Sequence, residues 1–421
     1  MKKFIVRGQY GKNALSLSLL GSLLFVLSSR CWIGLFPTLN LRVFSTIFVA
    51  LSYFLPILAF FIVLFKYHVK VLLSDQRNLL IVLTIYLCYC AYYIARPQLA
   101  EPHAVPDSIG QLMFEFLPVY LMAFMSNSIL EKCDITLFAK ITTVTILVFL
   151  VIYFSRFSIA IYGTLYGLSD SEKEALAPEG YFGGLAMGGI ISLAYCCNLF
   201  LWNKWTSKRN WNNVITITIA LILFFIQFMI VERGPILSLL VVTVFFFVCR
   251  KRIRGWNIGL LIVVFALLYL FMDEVVSFLS QISVSTVMKF ADIFEGGGSG
   301  RFGSSDAIFP SAVRQITENP LFGTYFRLLY GFFVNSYPHN FILEFLMTFG
   351  LFFSVPLFYL MYKAVRKTYN YVDMPCFLFG LLFVNRSLYH LTSGTIIDDK
   401  LFWISFAIIL TSNYKLNNKR C

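Results

Sequence analysis

Residues 42–66 read RVFSTIFVALSYFLPILAFFIVLFK, with no charge between Arg42 and Lys66. A run of this length crosses the roughly 30 Å hydrocarbon core of a bilayer, which needs about 20 helical residues. Backbone N–H and C=O groups find no water there, so only helices and closed barrels are stable in it. Similar runs recur along the chain and dictate an all-α polytopic membrane protein. Twelve are expected, at 14–30, 41–65, 78–95, 109–127, 136–157, 181–201, 212–231, 235–249, 257–272, 339–362, 374–391 and 399–414. The eighth is short and ends at Arg250-Lys251-Arg252-Ile253-Arg254. It is expected to form a tight hairpin with the seventh, turned at Gly234-Pro235. The chain then divides into nine helices over 1–272, one large outer loop over 273–338, and three helices with a short tail over 339–421. Composition agrees: 13% of residues are charged, against about a quarter in soluble domains. No small-residue cleavage site follows Met1-Lys2-Lys3, so no removed signal peptide is expected. The nine cysteines lack the paired spacing of a zinc site, and neither disulfides nor a structural metal is expected.

In a membrane protein lysine and arginine report sidedness first, so the net charge of +13 does not point to nucleic acid. With the N-terminus inside, 22 of the 34 basic residues fall on inner segments. Both termini are therefore expected in the cytoplasm. The inner set holds 14 lysines and 8 arginines, the outer set nine arginines and three lysines. Guanidinium meets phosphate with a flat, bidentate fork and keeps its charge. Phosphate recognition is thus one reading of the outer arginines, and chance among twelve residues together with ordinary ion pairing is the other.

The outer loop carries local order. Glu295-Gly296-Gly297-Gly298-Ser299-Gly300 precedes Arg301. Ser304, Ser305 and Asp306 offer an N-cap. Ile308, Ala312, Val313 and Ile316 then recur at helical spacing, predicting an amphipathic helix that lies on the membrane boundary or packs on the bundle. Asn319-Pro320 stops it and Gly323 turns the chain.

Four motifs surround this loop: Glu232-Arg233-Gly234, Gly300-Arg301, Glu318-Asn319-Pro320-Leu321-Phe322-Gly323, and Tyr337-Pro338-His339-Asn340 followed by Leu343-Glu344. In this order they resemble the O-antigen ligase/polymerase superfamily of bacterial envelope proteins, over roughly 230–350. The resemblance implies a GT-C-like bundle in the bacterial inner membrane and glycosyl transfer at its outer face. It implies a donor sugar chain on undecaprenyl diphosphate, no nucleotide sugar and, in the ligases, no metal; no cofactor is expected. By motif, Arg233 and Arg301 would hold the diphosphate and His339 would activate the acceptor hydroxyl. Glu232, Asn340, Glu344, Arg314 and Arg327 are supporting candidates.

Residue chemistry fits these roles. Diphosphate oxygens gain charge as the glycosidic bond breaks, so guanidinium stabilises the transition state more than the ground state. Histidine titrates near neutral pH and suits proton transfer. Pro338 is expected in the first turn of a helix capped by Ser336 or Asn335. His339 would then sit in that turn, at the positive end of the dipole, which favours a neutral ring. A structural histidine bonding a loop carbonyl is the alternative. Glu232 pairs with Arg233 in the simplest reading, and Arg314 is read as solvated. Glu344 lies one turn into a span, where a carboxylate is costly and often functional. Arg386, His390 and Asp398-Asp399 are expected to form an internal, structural polar cluster.

A polymerase joining lipid-linked repeat units is the expected function. Its substrates would be undecaprenyl-diphosphate-linked oligosaccharides as donor and acceptor, within membrane lipid, with a chain-length regulator as a possible protein partner. A ligase transferring the chain to lipid A-core, a flippase for the same lipid, and a non-catalytic regulator are the alternatives.

Overall fold

The computed structural model describes residues 2–28, 31, 42–66, 117–158, 161, 181–205, 211–230, 233–250, 304–334, 336–392, 394–396 and 399–412. These are all-helical, with no strand among the described residues. The elements are α1 (Lys2–Leu27), α2 (Arg42–Lys66), α3 (Ser126–Lys132), α4 (Ile135–Arg156), α5 (Gly184–Trp205), α6 (Trp211–Ile230), α7 (Arg233–Cys249), α8 (Ile308–Glu318), α9 (Phe341–Asn370), α10 (Phe377–Tyr389) and α11 (Lys400–Thr411). The spans expected at 78–95 and 257–272, and the loop from 273 to 303 with its glycine run, lie outside the described residues. So does the first part of the span expected at 109–127.

Five helical stretches among the described residues are long and apolar enough to cross a membrane: Val43–Phe65, Ile135–Arg156, Gly184–Lys204, Asn213–Ile230 and Phe341–Asn370. Helix α2 exposes Phe44, Ile47, Phe54 and Phe61, and α6 exposes Val214, Ile215, Leu221 and Phe225. Water-soluble monomers do not carry apolar faces of that extent, whereas acyl chains cover them without cost. This is a membrane protein. Its centre is made of α5, α10 and α11, where Phe383 packs against Phe402 and Phe406 with ring centroids 5.3 and 5.1 Å away.

The bundle has two distinct ends. At one, Lys204 Nζ donates to Asp373 O at 2.7 Å, and Lys367 Nζ donates to Leu410 O and Ser412 O at 2.5 and 2.7 Å. These lysines meet carbonyls that helix C-termini and turns leave open. At the other end, the Tyr389 hydroxyl donates to Leu185 O at 3.1 Å and Phe341 N–H to His390 O at 2.9 Å. Helix α7 runs antiparallel to α10: the Phe246 and Phe377 rings are 6.1 Å apart, and eight residues along each helix Asn385 Nδ2 donates to Ser238 Oγ at 3.1 Å.

Two expectations about span geometry need correction. The turn between α6 and α7 does not fall at Gly234-Pro235, because α7 starts at Arg233 and those residues form its first turn. Proline is accepted there, where its missing N–H leaves no helical bond unmade. Gly188 of α5 admits the ring closely: a Cβ on Gly188 would lie 2.6 Å from Pro235 Cγ.

The second correction concerns α9, expected as one rod over 339–362. Gly350 has φ 59° and ψ −176°, and the chain reverses there. Ser354 Oγ donates to Phe345 O at 2.8 Å, and the Phe358 ring lies 6.4 Å from Phe341 and 5.9 Å from Phe345. In a straight helix, residues 341 and 358 would be about 25 Å apart at about 1.5 Å per residue. The arms 341–349 and 351–370 therefore lie side by side with Gly350 at the apex. Only glycine takes this backbone readily, and a Cβ there would be 2.3 Å from the Leu321 carbonyl carbon.

The turn after α8 fits into that apex. Leu351 N–H donates to Pro320 O at 2.8 Å, Phe352 N–H to Leu321 O at 3.0 Å, and Thr324 N–H to Met347 O at 2.7 Å. Helix α8 itself packs on the first arm through Ile308, Ala312 and Met347, with Leu328 completing the cluster. Its N-cap is Ala307, without a side-chain bond, rather than Ser304, Ser305 or Asp306. Asn319 ends it as the sequence predicts, and Gly323 turns at φ 71°.

Candidate functional site

The reversal of α9 decides where its first residues lie. The arm 351–370 is about 30 Å long at about 1.5 Å per residue, apolar from Leu351 to Tyr362 and basic from Lys363 onward. Phe341 packs beside Phe358, roughly 12 Å below the apex on the same rise. Helix α10 gives the same level independently. Gly380 sits against Thr368, and ten residues later His390 O accepts from Phe341 N–H, level with position 358 ten residues before 368. The start of α9 thus lies beside position 358 and the end of α10.

Asn340 caps the first arm. Its Oδ1 accepts from Ile342 N–H at 3.0 Å and Leu343 N–H at 3.3 Å, and its Nδ2 donates to Leu391 O at 3.3 Å. The cap expected at Ser336 or Asn335 therefore moves to Asn340. His339 precedes the helix instead of lying in its first turn. The carbonyl of an asparagine side chain reaches the N2 and N3 amides directly, so it wins the cap. His339 is held at φ 53°, the one non-glycine residue with positive φ among the described residues. Its ring meets Tyr337 edge-on, with centroids 4.6 Å apart.

Glu344 lies one turn along the arm and is fully buried. It accepts the Thr395 hydroxyl, and its Oε2 accepts Ile396 N–H at 3.1 Å. Hydrogen bonds from donors of this kind are what let a carboxylate stay buried. Its role in the fold is to hold the chain between α10 and α11 against α9.

That connection also carries a buried ionic cluster. Arg386 Nε and His390 Nε2 both contact Asp399 Oδ2, at 2.6 and 2.5 Å. Asp399 Oδ1 caps α11 by accepting from Leu401 N–H at 3.0 Å and Phe402 N–H at 3.3 Å. The Arg386 guanidinium lies 4.1 Å from the Tyr389 ring centroid. The internal polar cluster expected at 386–399 is present, with Asp399 as its carboxylate.

Arg233 belongs to this level by backbone position. Ser238 pairs with Asn385, and five residues further along the two antiparallel helices bring Arg233 level with His390. Arg301 and Glu232 lie outside the described residues. Arg314 lies on α8 and Arg327 in the loop that follows it. Arg314 Nε is 3.3 Å from Glu318 Oε1, four residues on, and its guanidinium lies 4.4 Å from the Tyr330 ring. Tyr330 donates to Glu318, and that hydrogen bond together with burial raises the phenol pKa. The solvated reading of Arg314 stands, since its side chain is 61% exposed. Arg327 is exposed, 5.5 Å from the Phe326 ring.

Two organising features were not singled out in the sequence. Gln315, fully buried on α8, donates to Thr324 Oγ1 at 2.8 Å and Tyr325 O at 3.0 Å, and accepts from Leu329 N–H at 3.0 Å. A glutamine on the apolar face of an amphipathic helix is the signal that marks it. Thr395 and Ile396 meet Glu344 across 51 and 52 residues, a distance no local pattern reveals. Among the described residues no group of three or more His, Cys, Asp or Glu converges as metal ligands would.

No protein-family model matches the chain, and no curated protein sequence matches it.

Proposed function

We propose that the protein is a polysaccharide polymerase of the bacterial inner membrane, a GT-C-like bundle of about twelve spans with both termini in the cytoplasm. It joins undecaprenyl-diphosphate-linked oligosaccharide repeat units on the outer face. The reading rests on the ordered motifs around the outer loop. The observation that carries it is His339. A non-glycine residue at positive φ is uncommon, and such outliers cluster where function demands a set geometry. Here that residue is the histidine of the motif, held between Tyr337 and the Asn340 cap.

In this reading the acceptor hydroxyl oxygen bonds to the anomeric carbon of the donor sugar. The bond from that carbon to the phosphate oxygen breaks, and undecaprenyl diphosphate leaves with the electron pair. His339 takes the hydroxyl proton. Arg233 and Arg301 meet the charge growing on the diphosphate. Asn340 and Glu344 position the histidine by fastening the start of α9 to the 390–396 connection.

A ligase would share this chemistry and differ in acceptor. A flippase is the reading that the interrupted α9 favours, since transporters use discontinuous helices at their binding sites. The interruption here is closed by backbone hydrogen bonds from the turn 320–324, which favours a fixed scaffold over alternating access.

The test is to replace His339→Gly and Arg233→Ala separately in the native host, with membrane levels checked. Glycine suits the backbone at 339, so loss of function there reports the ring. Single repeat units on lipid A-core, without long chains, are expected from both. Long chains accumulating on undecaprenyl diphosphate would make the protein a ligase. Unchanged polymer would reject the assignment.

A further inference from the structure

We propose that the turn Pro320–Gly323 of the outer loop is a lipid-contacting anchor, seated among phospholipid acyl chains at the edge of the outer leaflet. The turn is fastened to the α9 apex by the bonds from Leu351 and Phe352 to Pro320 O and Leu321 O. Gly323 presses against the other arm so closely that a Cβ would lie 2.6 Å from Met347 O. The turn therefore keeps a fixed place at the top of the arm 351–370.

That arm shows an exposed apolar stripe made of Leu351, Phe352, Val355, Tyr359 and Tyr362. On a membrane-crossing helix such a stripe faces lipid. The turn extends it. Leu321 and Phe322 are each 57% exposed, and the Phe322 ring lies 5.9 Å from Phe352, itself 64% exposed. Continuity with the lipid-facing stripe identifies the occupant as acyl chain. Aromatic side chains at this height are the usual anchors of membrane–water boundaries. The polar residues of α8, Arg314, Thr317 and Glu318, are exposed on the same loop unit, so the unit is amphipathic and needs only its apolar corner in lipid. The inference does not depend on the catalytic reading.

The experiment places p-benzoylphenylalanine singly at Leu321, Phe322, Phe352 and Thr317 of the full chain. Each protein is reconstituted in vesicles of phosphatidylethanolamine and phosphatidylglycerol, irradiated, and analysed by mass spectrometry of its peptides. Phospholipid adducts are expected at 321 and 322, at yields comparable with 352 and well above 317. Adducts at 352 with none at 321 or 322 would overturn the proposal, as would cross-links from 321 and 322 to protein alone. Labelling at 352 without labelling at 317 shows that the apolar and solvated faces are sorted as in the native fold.

Discussion

At the scale of single residues, the most consequential side chain in the described fold is Asp399. One carboxylate receives Arg386 and His390 and caps α11. Burying such a cluster gains little over a well-packed apolar one, but removing one member strands the others. Asp399→Ala is expected to cost about 3–5 kcal/mol, the range for breaking a buried ion pair. Reversible unfolding of the purified protein in bicelles measures it, and a change within error of zero would show that the cluster bears no stability. The cluster was legible in advance because charges inside spans are rare and paired. The place of Asn340 was not. Asn335, Ser336 and Asn340 are all competent caps by type, and only the position of the 390–396 connection, which takes Asn340 Nδ2 and Phe341 N–H, selects among them.

At the scale of elements, the reversal of α9 separates expectation from fold. Its residues form one long apolar pattern with Gly350 and Pro356 inside it, and hydropathy cannot distinguish a rod from a hairpin. The deciding contacts come from the turn after α8, which supplies backbone acceptors to the amides freed at the apex. A cysteine pair tests this directly. Phe341→Cys with Phe358→Cys should be joined by a short bifunctional methanethiosulfonate, detected in peptide digests. The pair would be about 25 Å apart on a straight helix, and failure to link would restore the rod. Helix α8 shows the reverse case. Its extent, its stop at Asn319 and the turn at Gly323 all follow from local signals, and only its first cap differs.

At the scale of the whole molecule, the fold sorts helices between lipid and core. Helix α6 turns Leu221, Ile222 and Phe225 outward, whereas α10 buries every residue from Phe377 to Arg386. Leu221→Arg should disfavour insertion of α6 by about 3 kcal/mol, the cost of arginine near a span centre. Glycosylation mapping of the full chain reads the inserted fraction, and an unchanged fraction would mean that this face is not in hydrocarbon. The short α10–α11 hairpin has a related consequence. Thirteen helical residues rise about 20 Å, and the polar end of α10 at His390 adjoins the start of α9 at Phe341. His390 also joins the Asp399 cluster, so the cluster and the capped start of α9 lie together.

Sequence alone determined that the chain is helical and membrane-bound, because apolar runs of span length admit almost nothing else. It also marked the histidine, the arginines and the internal charges as unusual, since each is costly or scarce in its setting. Tertiary structure decided the rest: that α9 doubles back, that its capping residue is Asn340, and that Glu344 closes on Thr395 and Ile396. Those outcomes depend on which distant backbone amides and carbonyls come to lie opposite one another. Hydrophobic periodicity contains no record of that pairing, and inside a membrane, where each such group must find a partner, the pairing sets the depth and shape of the site.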